Sequence, residues 1–197
     1  MKILASTLII LLSSSVYAQN ISSSEIQIAG ALLAAPEEDR TNATVKGYSE
    51  SGSLIILKEG SNKLICLADN PKQDGFNAAC YHEDLEIFMA RGRELKAQGK
   101  DHGQIFQIRE EEAKAGKLKM PDHASTLHIL SGLDGKYNPE TKKVENVTLR
   151  YVVYIPWATA ESTGLPIRPL VPGGPWIMDP GTHRAHIMIS PPKELQK

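Results

Sequence analysis

The chain has no excess of charge of one sign. It carries 22 Lys and Arg residues against 23 Asp and Glu residues, for a formal net charge of −1. Its basic residues are not gathered into a cluster interleaved with aromatics. Proteins that bind nucleic acid usually concentrate positive charge on one surface, because that charge attracts phosphate groups. The composition therefore indicates a protein that does not bind nucleic acid.

The sequence also has no long apolar run of the kind that crosses a membrane. The apolar run at residues 3–12 is too short to span a bilayer in a mature protein. Lys2 precedes this run, and mostly small residues follow it at positions 13–18, which is the layout of a secretory signal peptide. We expect cleavage after Ala18. The mature protein is then periplasmic or secreted and has no integral membrane segment.

Cysteine is scarce, with only Cys66 and Cys80 in the chain. Neither lies in a Cys-x-x-Cys motif, and their spacing matches no common zinc pattern. An even pair in an exported protein is typical of a disulfide, and the residues between the two are rich in turn formers. We predict a disulfide; the alternatives are a metal-binding pair and a reactive thiol.

No repeat, low-complexity tract or long linker divides the chain, so residues 19–197 are expected to form one domain. Apolar spacing predicts helices over residues 22–35, 83–98 and 104–115. Strands are predicted over residues 43–48, 53–58, 63–67, 125–130, 147–155 and 184–189. Residues 60–62 predict a hairpin between the second and third strands, and residues 171–181 an irregular loop. The sum is an α+β fold: a mostly antiparallel sheet with two or three helices on one face and one disulfide.

Short segments resemble an uncharacterised family of exported bacterial proteins. They are Ala34-Ala35-Pro36 near the mature start, Cys66-Leu67-Ala68-Asp69-Asn70-Pro71, Cys80 ahead of a helix, and the late strand with His186 and Met188. The chain departs from the family pattern at Leu64-Ile65, where the family has Trp-Thr, and at Ala68 and Ala185, where it has Pro. The family has no established activity, so the resemblance implies a fold and a disulfide but no chemistry.

Four histidines are candidate metal ligands: His123, His128, His183 and His186. They flank two predicted strands, and if those strands are neighbours the imidazoles could converge on a divalent metal such as zinc. Asp122 or Asp179 would supply a carboxylate. The alternative is that each histidine is satisfied by backbone groups. For His186 we expect this structural role, with Ile187 and Ile189 lining the core and His186 bonded to the backbone of the proline-rich loop.

Trp157 and Trp176 border the proline-rich segment 165–175, with Arg168 between them. Aromatic side chains beside a stiff polar loop can form a stacking pocket for sugars or peptides. The alternative is that the tryptophans anchor this loop to the core.

The expected function is that of a non-enzymatic binding or structural protein with no cofactor and an unidentified partner. No Gly-x-Ser-x-Gly motif is present to suggest a serine hydrolase. The alternative function is a small metal-dependent hydrolase or oxidoreductase that uses the four histidines.

The signal-peptide layout predicts that the mature protein begins at Gln19. Intact-mass measurement or N-terminal sequencing of protein from the producing cell checks this. A mature form that retains residues 1–18 would contradict the prediction.

Overall fold

The structure, a computed structural model, describes residues 21–192; the predicted signal peptide lies outside this range. Its helices are α1 (Ser24–Leu32), α2 (Glu86–Ala97), α3 (His102–Lys114) and α4 (Ala160–Thr163), with 3-10 helices at Glu37–Asn42 and Glu83–Leu85. Its strands are β1 (Thr44–Tyr48), β2 (Leu54–Lys58), β3 (Leu64–Leu67), β4 (Phe76–His82), β5 (Ser125–Gly132), β6 (Lys136–Asn138), β7 (Lys143–Glu145), β8 (Thr148–Tyr154), β9 (Trp176–Met178) and β10 (His186–Ile189). None of the helices in residues 21–192 is both long enough and apolar enough to cross a membrane.

One large sheet organises the described part of the chain. Eight strands pair in the order β2-β1-β3-β4-β5-β8-β10-β9, while β6 and β7 form a separate hairpin. Every neighbouring pair in the large sheet is antiparallel except β1 with β3. The predicted α+β fold with a mostly antiparallel sheet is therefore confirmed.

Apolar side chains cover both faces of this sheet. On one face Ala78 and Cys80 of β4 pack in the same cluster as Ala31 of α1. On the other face Tyr81 of β4 packs in the same cluster as Phe88 of α2. Because successive strand residues point to opposite faces, β4 is buried on both sides. The helices α2 and α3 share one face of the sheet, and α1 covers the opposite one.

The predicted disulfide between Cys66 and Cys80 is confirmed. The two residues lie directly opposite each other on β3 and β4, and both are 0 % exposed. Cys80 lies inside a strand that the turn-rich sequence before it did not predict. The bond therefore joins two neighbouring strands in the middle of the sheet.

The predicted hairpin between residues 53–58 and 63–67 is wrong. In the sheet β1 lies between β2 and β3, antiparallel to the first and parallel to the second. The intervening segment crosses the start of β1, where the backbone N–H groups of Ser61 and Asn62 donate to the Asn42 carbonyl. Gly60 is needed for this crossing, since a Cβ there would lie 2.3 to 2.4 Å from backbone atoms of residues 42–44. The turn-like residues thus serve close packing rather than a hairpin.

Removal of the disulfide tests its contribution to this fold. Replacing both cysteines with alanine should lower the free energy of unfolding by about 2–4 kcal/mol, because the unfolded chain loses a closed loop. Urea unfolding with and without reductant measures the effect. Reductant should destabilise the natural protein and leave the double variant unchanged; equal stability of the two proteins without reductant would contradict the prediction.

Candidate functional site

The four candidate histidines lie at separate places in the structure. His128 of β5 lies on the same face of the sheet as Tyr151 of β8, with 5.4 Å between the two ring centroids. His186 is on the opposite face of the sheet, beside Tyr154. His183 is buried in the turn before β10, and His123 is exposed just before β5. The structure does not bring these four imidazoles to a common point.

His183 fastens the turn before β10 to α3. Its backbone N–H and its ring Nδ1–H both donate to Glu110 Oε2, at 2.9 and 2.5 Å. Burial raises the pKa of Glu110, but hydrogen bonds from Lys114 and His183 outweigh it and hold the pKa at about 2. The ring also packs edge-on against Phe88 and Phe106. His183 therefore has a structural role in this arrangement.

The expected environment of His186 is corrected by the structure. His186 and Met188 face the apolar cluster under α2, and Ile187 and Ile189 on the other face are only partly buried. The reason is that α2 and α3 cover the face to which His186 belongs. Its Nδ1–H donates to the Arg184 carbonyl at 2.7 Å, within its own turn rather than to the proline-rich loop. Burial lowers the pKa of His186.

The two tryptophans and Arg168 are not brought together. Trp176 lies in β9, packs against the apolar cluster under α2, and lines a cavity of about 380 Å³ formed mostly by residues 169–174. Trp157 lies in the turn after β8 and lines a different cavity. Arg168 is exposed and lines neither of these two cavities.

A cleft of about 650 Å³ lies beside Trp157. Its walls are the end of α3 with the segment that follows, residues 113–124, and the turn at residues 155–158. Most of the lining side chains are apolar, and they include Leu118 and Met120. Lys119, Asp122 and His123 supply the polar groups. This mixture is typical of small-molecule sites.

Trp157 itself has an unusual backbone. Its φ is +69°, in the left-handed region that bulky residues rarely adopt, and its side chain is 41 % exposed. The turn is held by hydrogen bonds from Trp157 N–H to the Thr182 carbonyl and from Gly181 N–H to the Ala158 carbonyl, at 2.8 and 2.7 Å. Such strain persists only where the surroundings impose it, and it concentrates at functional sites.

His123, at the rim of this cleft, contacts two carboxylates. His123 Nδ1 is 2.9 Å from Asp122 Oδ1, and His123 Nε2 is 2.9 Å from Asp84 Oδ2. His82 Nδ1 approaches the same Asp84 oxygen at 3.2 Å. The ring of His123 donates hydrogen bonds to the carboxylates of Asp122 and Asp84, and these bonds raise the pKa of His123. Across this rim Asp84 and Ile87 line a neighbouring cavity of about 440 Å³.

His82 and Asp84 were not predicted as site residues. Their only signal in the sequence is a His-x-Asp spacing where a strand meets a helix, which is too common to single out. Among residues 21–192, one group of three His, Cys, Asp or Glu side chains has its metal-binding atoms all within 4.8 Å of one another. It consists of His82, Asp84 and His123. Of the four candidate histidines, only His123 belongs to this group.

The hydrogen bond of His186 generates a prediction. His186→Leu should lower the free energy of unfolding by about 1–3 kcal/mol, because the Arg184 carbonyl loses its donor in a part-buried position. His186→Asn offers an amide N–H close to the position of Nδ1 and should cost less. Urea unfolding of both variants at neutral pH measures the difference, and equal costs would contradict the assigned bond.

The pH dependence of stability provides an independent check on His186. The pKa of His186 in the folded protein is below its usual value. The histidine therefore makes its full contribution to stability at pH values above that usual pKa, where it is neutral in both the folded and the unfolded protein. That contribution is lost as the pH falls towards the folded pKa. His186→Asn does not titrate, so its free energy of unfolding should fall less than that of the natural protein between about pH 8 and pH 5.

Comparison with known proteins adds no relative to this description. No family model matches the chain, no curated protein matches it, and no solved structure matches it. The resemblance to exported bacterial proteins therefore stays a prediction.

Proposed function

We propose that the protein is exported and works by binding a small ligand in the cleft beside Trp157. The ligand has a flat apolar face, which packs against the indole ring, and a polar end. The observation that carries this proposal is a half-exposed tryptophan held on a left-handed backbone at the wall of a mostly apolar cleft.

Export is supported by the disulfide as well as by the signal-peptide layout. Disulfides persist in oxidising compartments such as the periplasm and the extracellular medium, and they are rare in the cytosol. The bond between Cys66 and Cys80 is fully buried in the sheet, and the described chain has no free cysteine. Cleavage after Ala18 would deliver the mature protein to such a compartment.

The position of Trp157 supports ligand binding more than a purely structural role. A tryptophan that anchors a loop buries most of its ring. Trp176 is more buried than Trp157 and packs against the apolar cluster under α2. Trp157 instead leaves 41 % of its surface exposed. A residue held in a sparsely populated backbone region costs about 1–3 kcal/mol, and here the strained turn directs an indole ring to the cleft. Covering that ring would bury a large aromatic surface.

The polar side chains at the cleft define the other end of the ligand. Lys119 provides a cation, and Asp122 provides a carboxylate that accepts hydrogen bonds. A sugar with one apolar face, or a short peptide with an aromatic side chain, combines a flat apolar surface with polar substituents. Both belong to the class of ligand that we propose.

The contacts of His123 and of three serine hydroxyls favour binding over catalysis. Both ring nitrogens of His123 contact carboxylates, so neither is free to serve as a general base. The hydroxyls of Ser125, Ser131 and Ser162 contact the His123 carbonyl, Arg150 and the Thr159 backbone, respectively. The alternative of a metal-dependent hydrolase or oxidoreductase would need His123, His128, His183 and His186 around one metal, and their placement on both faces of the sheet does not support it.

Binding of the dye anilinonaphthalene sulfonate tests the cleft, because the dye has flat aromatic rings and an anionic group that suits Lys119. Titration of the folded protein should give saturable dye fluorescence. Trp157→Ala should weaken binding by about tenfold, the effect of losing about 1.4 kcal/mol of contact. Trp157→Phe, which keeps an aromatic ring, should retain most of the affinity.

Val171→Ser is the matched control, because Val171 is an exposed apolar residue of the proline-rich loop outside the Trp157 cleft. It should leave dye binding unchanged. Oligosaccharides and short aromatic peptides that displace the dye would then identify the natural class of ligand. Unchanged dye affinity in Trp157→Ala, or loss of binding in Val171→Ser, would overturn the proposed cleft.

A further inference from the structure

We infer that His82, Asp84 and His123 form a binding site for a divalent transition metal ion of the zinc type. One ligand atom from each residue lies within 4.8 Å of those of the other two. Two imidazoles and one carboxylate are a donor set that zinc uses in proteins. The site is independent of the proposed ligand, although His123 also lines the Trp157 cleft.

The spacing of the donor atoms suits a tetrahedral ion. With bonds of about 2.0–2.1 Å, a tetrahedral zinc ion holds its donor atoms roughly 3.3 Å apart. Asp84 Oδ2 lies 3.2 Å from His82 Nδ1 and 2.9 Å from His123 Nε2. The three side chains therefore need only small movements to coordinate one ion. The weak 3.3 Å hydrogen bond from Asp84 N–H to His82 Nδ1 would be exchanged for the metal bond.

Asp122 supplies a second and separate indication. It contacts Nδ1 of His123 at 2.9 Å, and a carboxylate there favours the tautomer with the proton on Nδ1. That tautomer turns the lone pair of Nε2 towards the Asp84 carboxylate. In that tautomer a metal ion can bind Nε2 and Asp84 Oδ2 together, in place of the second ring proton that otherwise bridges the two atoms at 2.9 Å. A carboxylate behind a ligating histidine is the usual arrangement in metal sites.

The sheet holds these donors in place. His82 is the last residue of β4, two positions after the disulfide-bonded Cys80. His123 lies two positions before β5, which is antiparallel to β4, so the end of one strand lies beside the start of the other. Asp84 follows in the 3-10 helix that begins directly after β4. The site therefore draws on two neighbouring strands and not on mobile loops alone.

The donor chemistry also selects among metals. Imidazole nitrogen suits zinc and its neighbours in the first transition row, whereas calcium and magnesium prefer oxygen donors throughout. Three protein ligands leave a fourth position for water or a bound ligand. The three side chains are between about a quarter and a half exposed, at 28 %, 37 % and 55 %, so an ion can reach them from solvent.

Calorimetric titration with zinc chloride tests the site on the mature protein, prepared without a histidine tag and treated with chelator. We expect one zinc ion per chain. The variants His82→Ala, Asp84→Ala and His123→Ala should each lose most of the affinity. Asp122→Asn should weaken binding by about 10- to 100-fold, as expected for a group that orients a ligand. Cobalt absorption should give the bands of a tetrahedral ion in the natural protein and not in the three alanine variants of the ligands.

His102→Ala is the matched control, because His102 is an exposed histidine at the start of α3 and lies outside the group of three. It should bind zinc like the natural protein. Circular dichroism of each variant checks folding, which substitutions at these partly or fully exposed positions should not disturb. The absence of zinc binding, or an equal loss of affinity in His102→Ala and His123→Ala, would overturn the site. Dye binding to the Trp157 cleft is measured separately, so the two proposals can fail independently.

Discussion

Burial of β4 on both faces is the constraint on which the rest of this structure depends. Ala78 and Cys80 are covered by α1 on one side, and Tyr81 is covered by α2 on the other. Each fully buried large apolar side chain contributes about 1.5–3 kcal/mol, so a shift of the strand by one residue would exchange the two faces at high cost. The disulfide to β3 acts on the same strand. The register of β4 fixes where His82 and Asp84 leave the sheet.

A polar network fixes α2 over this strand. Glu86 at the start of α2 accepts from Lys46 of β1 and from Arg93, which lies about two turns further along α2, at 2.7 and 2.8 Å. The hydroxyl of Tyr81 donates to the other carboxylate oxygen of Glu86. Burial opposes ionisation of Glu86, but these donors and charges outweigh it, so the pKa of Glu86 is lowered. Directional bonds of this kind specify how a helix lies on an apolar surface that would otherwise tolerate sliding.

The two proposed sites arise from the same placement. The face covered by α2 and α3 ends at the segment of residues 119–124, which forms a wall of the Trp157 cleft and also carries His123. On the far side of the cleft, the turn at Trp157 is bonded to Thr182, and the next residue, His183, is bonded to Glu110 of α3. A ligand and a metal ion would thus be held by segments that are anchored to one rigid sheet. Such anchoring keeps binding groups in position without a large cost of ordering.

Local pattern determined the elements whose stability is local. The apolar spacing of residues 83–98 predicted α2, and the even cysteine pair predicted the disulfide. Strand pairing could not be predicted from the sequence. Gly60, Ser61 and Asn62 predicted a hairpin turn, yet in the structure they lead the chain across β1. Small and polar residues suit both a tight turn and a close-packed crossing, so composition does not distinguish the two. The histidines show the same limit. Their spacing shows which residue types are present, but only the pairing of β4 with β5 places His123 beside His82 and Asp84, and only the burial of both sheet faces separates His128 from His186. A side chain finds its partners through long-range contacts, and those are set by the free energy of the whole packed sheet rather than by its neighbours in the chain.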